Sequence, residues 1–210
     1  MTNRELRNAL LERLASYLAP YGFVLNKALA EFTKRSAEGW EKFQLIYLVR
    51  SNGWEINPAM LIRINTVEDI YHKASYFETK CHKTTPTVGI PLEDFINDGK
   101  GYRFDLNSEA DIERCYQNIM MLFKKVVVPF FSQYNDIEQL DKEVNIENRE
   151  SIFSWAIYKG SLGIILAKLV DNPKYNQLEE KHRIYYQQFA DGFYLDEYEG
   201  VAKVLRIMNL

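Results

Sequence analysis

The chain has 210 residues, 47% hydrophobic and 26% charged, an ordinary composition for a globular protein with a sizeable core. Its formal net charge of −3, without any run of basic residues, argues against nucleic-acid binding as the main activity, because phosphate neutralisation supplies most of that affinity. The first residues contain no apolar signal segment and no apolar stretch is long enough to span a bilayer, so we expect a cytoplasmic protein without a membrane segment.

An amphipathic helix is predicted at the start of the chain. Its apolar residues recur at steps of three and four, which places them on one face: Leu6, Leu10, Leu14, Tyr17 and Leu18. Pro20 and Gly22 predict where this helix ends. Because the apolar stripe is modest and its flanking charges are mixed, we interpret it as a surface helix that covers a sheet rather than a membrane anchor.

A β-meander is predicted next, from three stretches rich in aromatic and β-branched residues: 28–35, 40–50 and 54–64. Asn52-Gly53 predicts a type I′ turn between the second and third strands, because both central positions of that turn need a positive φ. Counting outward from the turn pairs two apolar rows on one face: Phe43, Leu45, Tyr47 and Val49 with Ile62, Met60, Pro58 and Ile56. Pro58 also indicates an edge or a bulge in the third strand.

The middle of the chain predicts short elements followed by a long helix. Thr66 is expected to cap a helix, and the stretches after it predict a strand, a short helix and a strand at 87–90, 92–96 and 102–106. Ser108 is expected to cap the longest helix, which Pro129 kinks or ends. A shorter helix is predicted at 136–144.

From residue 145 onward the pattern is helical only. A polar linker at 145–151 precedes a helix whose apolar positions are Ile152, Trp155, Leu162, Ile165, Leu166 and Leu169. Gly160 and Gly163 inside this helix predict close contact with another backbone, since glycine costs a helix about 1 kcal/mol against alanine. Two further helices are predicted after Pro173.

These elements predict an α+β protein. Residues 1–144 form an antiparallel β-meander packed against helices, and residues 145–210 form an all-helical C-terminal extension packed on that domain.

No complete catalytic or cofactor motif occurs in the sequence. Glu78-Thr79-Lys80 matches the second half of a restriction-type nuclease motif, in which an Asp and the Glu bind Mg²⁺. Asp69 would be the first acid, but it falls in a predicted helix, whereas the motif needs both acids on adjacent strands. A metal site at His72, Cys81 and His82 is disfavoured, because zinc sites show paired ligands at tight spacing and a fourth ligand. We therefore predict no catalytic residues, no metal and no cofactor.

The segment Leu18-Ala19-Pro20-Tyr21-Gly22-Phe23 carries a family resemblance. The chain here resembles the uncharacterised bacterial family called domain of unknown function 4304, in which an amphipathic helix is followed by a Leu-x-Pro-x-Gly-Phe turn and an aromatic-rich hairpin. The resemblance covers about residues 1–135 and leaves the helical tail unexplained. It implies an α+β fold in a bacterial cytoplasmic protein, and it brings no catalytic residues with it.

The stretch 185–199 combines aromatic with acidic residues, as many protein interfaces do. Four of its residues are predicted to bind a partner: Tyr194, Asp196, Glu197 and Tyr198. The sequence thus favours a non-catalytic protein-interaction module, with an immunity- or antitoxin-like role against a basic partner as the more specific expectation. A Mg²⁺-dependent nuclease and a protein that binds a small molecule between sheet and helices stay open as alternatives.

Overall fold

The computed structural model describes residues 1–153 and 157–208. It confirms the predicted α+β class: an antiparallel sheet is combined with helices, and the C-terminal part is helical. The chain divides into two compact units, Met1–Ile62 with Gly89–Ser132 and Arg63–Val88 with Gln133–Leu210. The sequence suggests a contiguous division at residue 144, whereas each of these units combines two stretches of chain.

The described residues form a six-stranded antiparallel sheet. Its strands are β1 (Val24–Asn26), β2 (Glu31–Arg35), β3 (Gly39–Arg50), β4 (Gly53–Ile64), β5 (Val88–Pro91) and β6 (Phe104–Leu106). Their order is β1-β2-β3-β4-β5, and β6 also pairs with β4. In the β2–β3 hairpin Glu31 lies opposite Gln44 and Arg35 lies opposite Trp40. The three predicted strands of the meander are therefore confirmed, although β2 begins at Glu31 rather than at residue 28. β1 is too short for its alternation to be recognised in the sequence.

The turn between β3 and β4 differs from the prediction. The hairpin is present, with β3 ending at Arg50 and β4 beginning at Gly53, but Asn52 does not have the positive φ of a type I′ turn. Gly53 has a positive φ of 151°, which is far from the roughly 60–90° of that turn. Val49 is 73% exposed, so the predicted apolar row of β3 ends before it, whereas the predicted row of β4 stays buried as far as Ile56.

β4 is not an edge strand along its whole length, but its side opposite β3 is covered only in part. β4 has β3 on one side, and on the other it pairs with β6 through Trp54–Ile56 and with β5. Gly89 of β5 approaches Leu61 of β4. Pro58 lies between these two short partners, where a residue without an amide hydrogen interrupts the ladder least.

One helix of the first unit begins at its predicted cap, Ser108. The helices of this unit are α1 (Asn3–Leu18), α3 (Leu92–Ile96), α4 (Glu109–Leu122) and α5 (Val128–Tyr134), and α2 belongs to the other unit. The leucines of the predicted stripe on α1 are buried. Thr2 and Ser108 start α1 and α4 with capping boxes completed by Glu5 and Asp111.

Pro129 follows a local change of helix type rather than ending the helix. A π-helical segment, Phe123–Val127, joins α4 to α5, and the Val128 amide donates to the Phe123 carbonyl. Proline cannot donate the regular bond to the residue four positions earlier. The wider π turn absorbs this missing bond, which explains how one nearly continuous helical stretch crosses Pro129.

The second unit contains α2 (Asn65–Tyr71), α6 (Ile137–Val144), α7 (Lys159–Leu169), α8 (Tyr175–Gln188) and α9 (Leu195–Ile207). Thr66 does not cap α2, which begins one residue earlier without a side-chain cap. α7 begins at Lys159, so Ile152 precedes it, and the predicted position Trp155 lies outside the described residues. No helix within the described ranges is both long and apolar enough to cross a membrane.

The two glycines of α7 do make close contacts, but with side chains. A Cβ on Gly160 would lie 2.6 Å from the Tyr186 ring, and one on Gly163 would lie 2.6 Å from Asn145 Oδ1. The prediction of close approach is therefore confirmed, while a backbone as the partner is not.

Gly53→Ala tests the packing of β4 against the end of β6. A Cβ at this position would lie 2.7 Å from the Leu106 carbonyl oxygen and 2.9 Å from Asn107 Cα, so the backbone would have to move to accommodate it. We expect the free energy of unfolding to fall by about 2–4 kcal/mol in urea denaturation. Gly101→Ala is the matched control, because nothing lies within 4 Å of its Cβ position. Equal stability of the two variants would contradict this packing.

Candidate functional site

The four predicted partner-binding residues divide into two pairs. Asp196 is exposed and Tyr194 is half-buried, whereas Glu197 is 4% exposed and Tyr198 is 0% exposed. Placing Glu197 and Tyr198 on the surface is therefore wrong. The side chains of these two residues face the interior of the second unit, where they have other contacts.

Glu197 connects α9 to the segment that follows α2. Its Oε1 accepts a hydrogen bond from the Tyr71 hydroxyl at 2.6 Å and one from the Tyr76 amide at 3.4 Å. Burial, reinforced by the hydrogen bond to Glu197, raises the pKa of the Tyr71 hydroxyl, which keeps it protonated as a donor. A buried carboxylate needs such donors, because it is costly without hydrogen-bond partners.

Tyr198 connects α9 to α8. Its hydroxyl donates to the Glu179 carbonyl at 2.6 Å, and its ring lies 4.9 Å from that of Tyr186. A Cβ on Gly200 would lie only 2.8 Å from the Ala74 Cβ, so α9 also approaches the segment after α2 closely. Both predicted residues thus position α9 within its unit.

A group of aromatic rings lies on the surface close to α9. Tyr76 is 55% exposed and Phe193 is 67% exposed, and their ring centroids are 6.3 Å apart. The Tyr194 ring lies 4.9 Å from that of Phe193. We call Tyr76, Phe193 and Tyr194 the aromatic surface. Tyr76 is distant in sequence from the other two, and no local pattern indicates that it joins them.

The turn that presents Phe193 has an unusual backbone. Three consecutive residues have positive φ: Ala190 at 49°, Asp191 at 51° and Gly192 at 81°. Only the third is a glycine, and a left-handed conformation costs other residues on the order of 1 kcal/mol or more. Such strain persists where the surrounding structure enforces it, and it is found frequently at functional sites.

Unpaired negative charge lies in the sequence on both sides of Phe193. Asp191 and Asp196 are exposed, and neither carboxylate has an ion-pair partner in residues 1–153 and 157–208. Other acids of α8 and α9 are neutralised, since Arg183 donates to Glu199 at 2.6 Å and to Glu179 at 2.7 Å. The unpaired charges that are nearest to Phe193 in the sequence are therefore acidic.

A second polar group is buried near the start of the same unit. Thr85 Oγ1 donates to Glu68 Oε2 at 2.6 Å and lies 2.7 Å from His72 Nε2. Arg63 donates to both oxygens of Thr85 and lies 3.5 Å from Glu68. His72 Nδ1 lies 2.8 Å from Ser75 Oγ. Because these bonds link α2 to residues 75 and 85, they hold the segment that carries Tyr76.

The candidate metal residues of the sequence come together only in part. The His72 and His82 rings are stacked 4.1 Å apart with an interplanar angle of 4°, which directs their nitrogens to other partners. His82 Nε2 lies 2.9 Å from the Phe77 carbonyl, and Cys81 is a free thiol. Across the described residues, no three His, Cys, Asp or Glu side chains are grouped so that they could hold a metal ion.

The nuclease-like residues do not have the geometry of that motif. Asp69 lies on α2, and Glu78 immediately precedes a short 3₁₀ turn, so neither acid is on a strand. Lys80 Nζ lies 2.5 Å from Glu78 Oε2, and both side chains are well exposed to solvent. This ion pair is a surface feature rather than an enclosed metal site.

Comparison with protein-family models, with curated proteins and with solved structures found no match for this chain.

The Tyr71–Glu197 hydrogen bond predicts energetic coupling between the two residues. Tyr71→Phe leaves a buried carboxylate without its main donor, so we expect the free energy of unfolding to fall by about 1–3 kcal/mol. The combined variant Tyr71→Phe, Glu197→Gln should lose less than the sum of the single variants, by about 1 kcal/mol. Urea denaturation of the four proteins measures this coupling. Strict additivity would show that the two side chains do not interact.

His72 predicts a dependence of stability on pH. Burial, followed by the charges of His82 and Arg63, lowers its pKa to about 4, against a usual value of about 6.5. The folded chain therefore holds fewer protons than the unfolded chain between these values, so this stability is present above about pH 6.5 and is lost as the pH falls towards 4. We expect wild type to lose about 2 kcal/mol more over this interval than His72→Gln in urea denaturation. Parallel losses in both proteins would contradict the assignment.

Proposed function

We propose that this protein is a non-catalytic module that binds a basic segment of another protein through the aromatic surface. The observation that carries the proposal is the exposed Tyr76–Phe193 pair, with two exposed, unpaired carboxylates within three residues of Phe193 in the sequence. Aromatic anchors with apolar bodies supply much of the energy of protein interfaces. Asp191 and Asp196 supply the charge that selects a basic partner.

The position of the rings supports binding rather than packing within the unit. Phe193 keeps two-thirds of its surface exposed although the turn before it has a strained backbone. A solvent-exposed phenylalanine adds nothing to the core, so the strain at Ala190 and Asp191 is not offset by its burial. Preorganised rings also lose less entropy on binding than mobile ones, which raises affinity.

An immunity- or antitoxin-like role is the more specific form of this proposal. Such proteins neutralise toxins, and an acidic surface complements a basic nuclease toxin by steering its approach and by rejecting acidic proteins. The net charge of −3 likewise favours a basic partner over an acidic one.

A photo-crosslinking residue at position 193, expressed in the native host, tests the proposal. We expect one crosslinked protein with a basic surface, identified by mass spectrometry. The purified partner should then bind wild type in calorimetry, and Asp191→Lys with Asp196→Lys should weaken its affinity at least roughly tenfold. Phe193→Ala should cost about 2 kcal/mol or more of binding free energy.

Asp94→Lys with Asp105→Lys is the control for net charge. These two carboxylates are exposed and belong to the first unit. Replacing both with lysine changes the net charge by the same amount as replacing Asp191 and Asp196. The affinity of this variant should stay within about threefold of wild type. A partner that binds both double variants alike, or no crosslink at position 193, would refute the proposal.

A further inference from the structure

We propose that an open cleft in the second unit binds the phosphate group of a small molecule. The cleft has a volume of about 270 Å³ and contains Lys159, Lys181 and His182 in its walls, with Ile146 and Leu178 among its apolar residues. It lies on α7, α8 and the chain after α6, and its assignment is independent of the protein-binding surface. We call it the lysine cleft.

The two lysines of the cleft are available to a ligand. Neither Lys159 nor Lys181 has an ion-pair partner in the part of the chain that the structure describes. Glu150 is the only carboxylate in the described walls of the cleft. Glu147 is the other acid close to Lys181, but its carboxylate pairs with Lys174 at 2.8 Å. The cleft therefore carries an excess of positive charge in a protein whose net charge is −3.

His182 supplies a second, independent indication. Its side chain is 7% exposed, and its Nε2 has no hydrogen-bond partner in the described structure. Asn145 also belongs to the cleft wall, and its Oδ1 is likewise buried without a partner. Both atoms lie beside Gly163, at 3.1 Å and 2.6 Å from the position of a Cβ there, and both side chains belong to the cleft wall. An unpaired buried polar atom is costly, so a side-chain rotation that brings either atom into contact with a group bound in the cleft would be favourable.

The electrostatics of the imidazole connect it to both lysines. Burial, followed by the positive charges of Lys181 and Lys159, lowers the pKa of His182 to about 4. Both ammonium groups therefore act on the same ring. A phosphate between them would cancel this repulsion and would favour the protonated imidazole, which can then donate from both nitrogens.

The dimensions and the apolar wall suggest the rest of the ligand. A cleft of about 270 Å³ is smaller than most pockets for drug-sized molecules, so it suits a phosphate with a small organic group. Lysine binds phosphate as a point charge without a fixed direction, which tolerates an open site. Ile146 and Leu178 offer an apolar surface to the organic part.

Titration with inorganic phosphate, at constant ionic strength maintained with chloride, tests the site. The His182 ring signals in ¹H–¹⁵N spectra should move saturably with phosphate, and the pKa of His182 should rise above about 4 when the site is filled. Lys159→Ala with Lys181→Ala should weaken phosphate binding at least roughly tenfold in the same titration.

Lys83→Ala with Lys203→Ala is the matched control, since both lysines are exposed and lie outside the cleft. This variant should bind phosphate as wild type does. No saturable movement of the His182 signals would overturn the proposal, as would equal weakening in the two double variants. Acetate that binds as tightly as phosphate would overturn the assignment to phosphate.

Discussion

The buried carboxylate of Glu197 is the constraint on which the exposed part of the second unit depends. It accepts a hydrogen bond from the hydroxyl of Tyr71, which lies 126 residues earlier in the sequence, and a second one from the Tyr76 amide. A charge inside a protein is tolerated only with donors of this kind. Because Glu197 needs these donors, α9 is held against the segment after α2. This contact places Tyr76 beside Phe193.

Amphipathic periodicity and capping residues predicted much of the helical structure. Three predictions from local patterns are confirmed: the leucine stripe of α1, the N-terminal cap of α4 at Ser108 and the helix that follows Asp136. The prediction of a type I′ turn was wrong because the conformation of a turn also depends on the strands and neighbours around it. Local propensity does not contain such tertiary contacts.

The candidate site was harder to predict for the same reason. A glutamate and a tyrosine among charged neighbours resemble surface residues, yet Glu197 and Tyr198 are buried because distant partners satisfy them. Tyr76 lies in an irregular segment where no periodicity indicates its orientation. The aromatic surface can be seen only once the buried hydrogen bonds are known. Asp191 and Asp196 beside the aromatic turn and the two lysines of the lysine cleft are charges of this unit without an ion-pair partner in the described structure.

The nuclear Overhauser effect between the ring protons of Tyr76 and Phe193 reports whether Glu197 holds these two rings together. We expect a clear effect in the wild-type protein, because the ring centroids are 6.3 Å apart. We also expect that Glu197→Ala loses this effect while the remaining spectrum stays that of a folded protein. Absence of the effect in wild type, or its persistence in Glu197→Ala, would contradict the account.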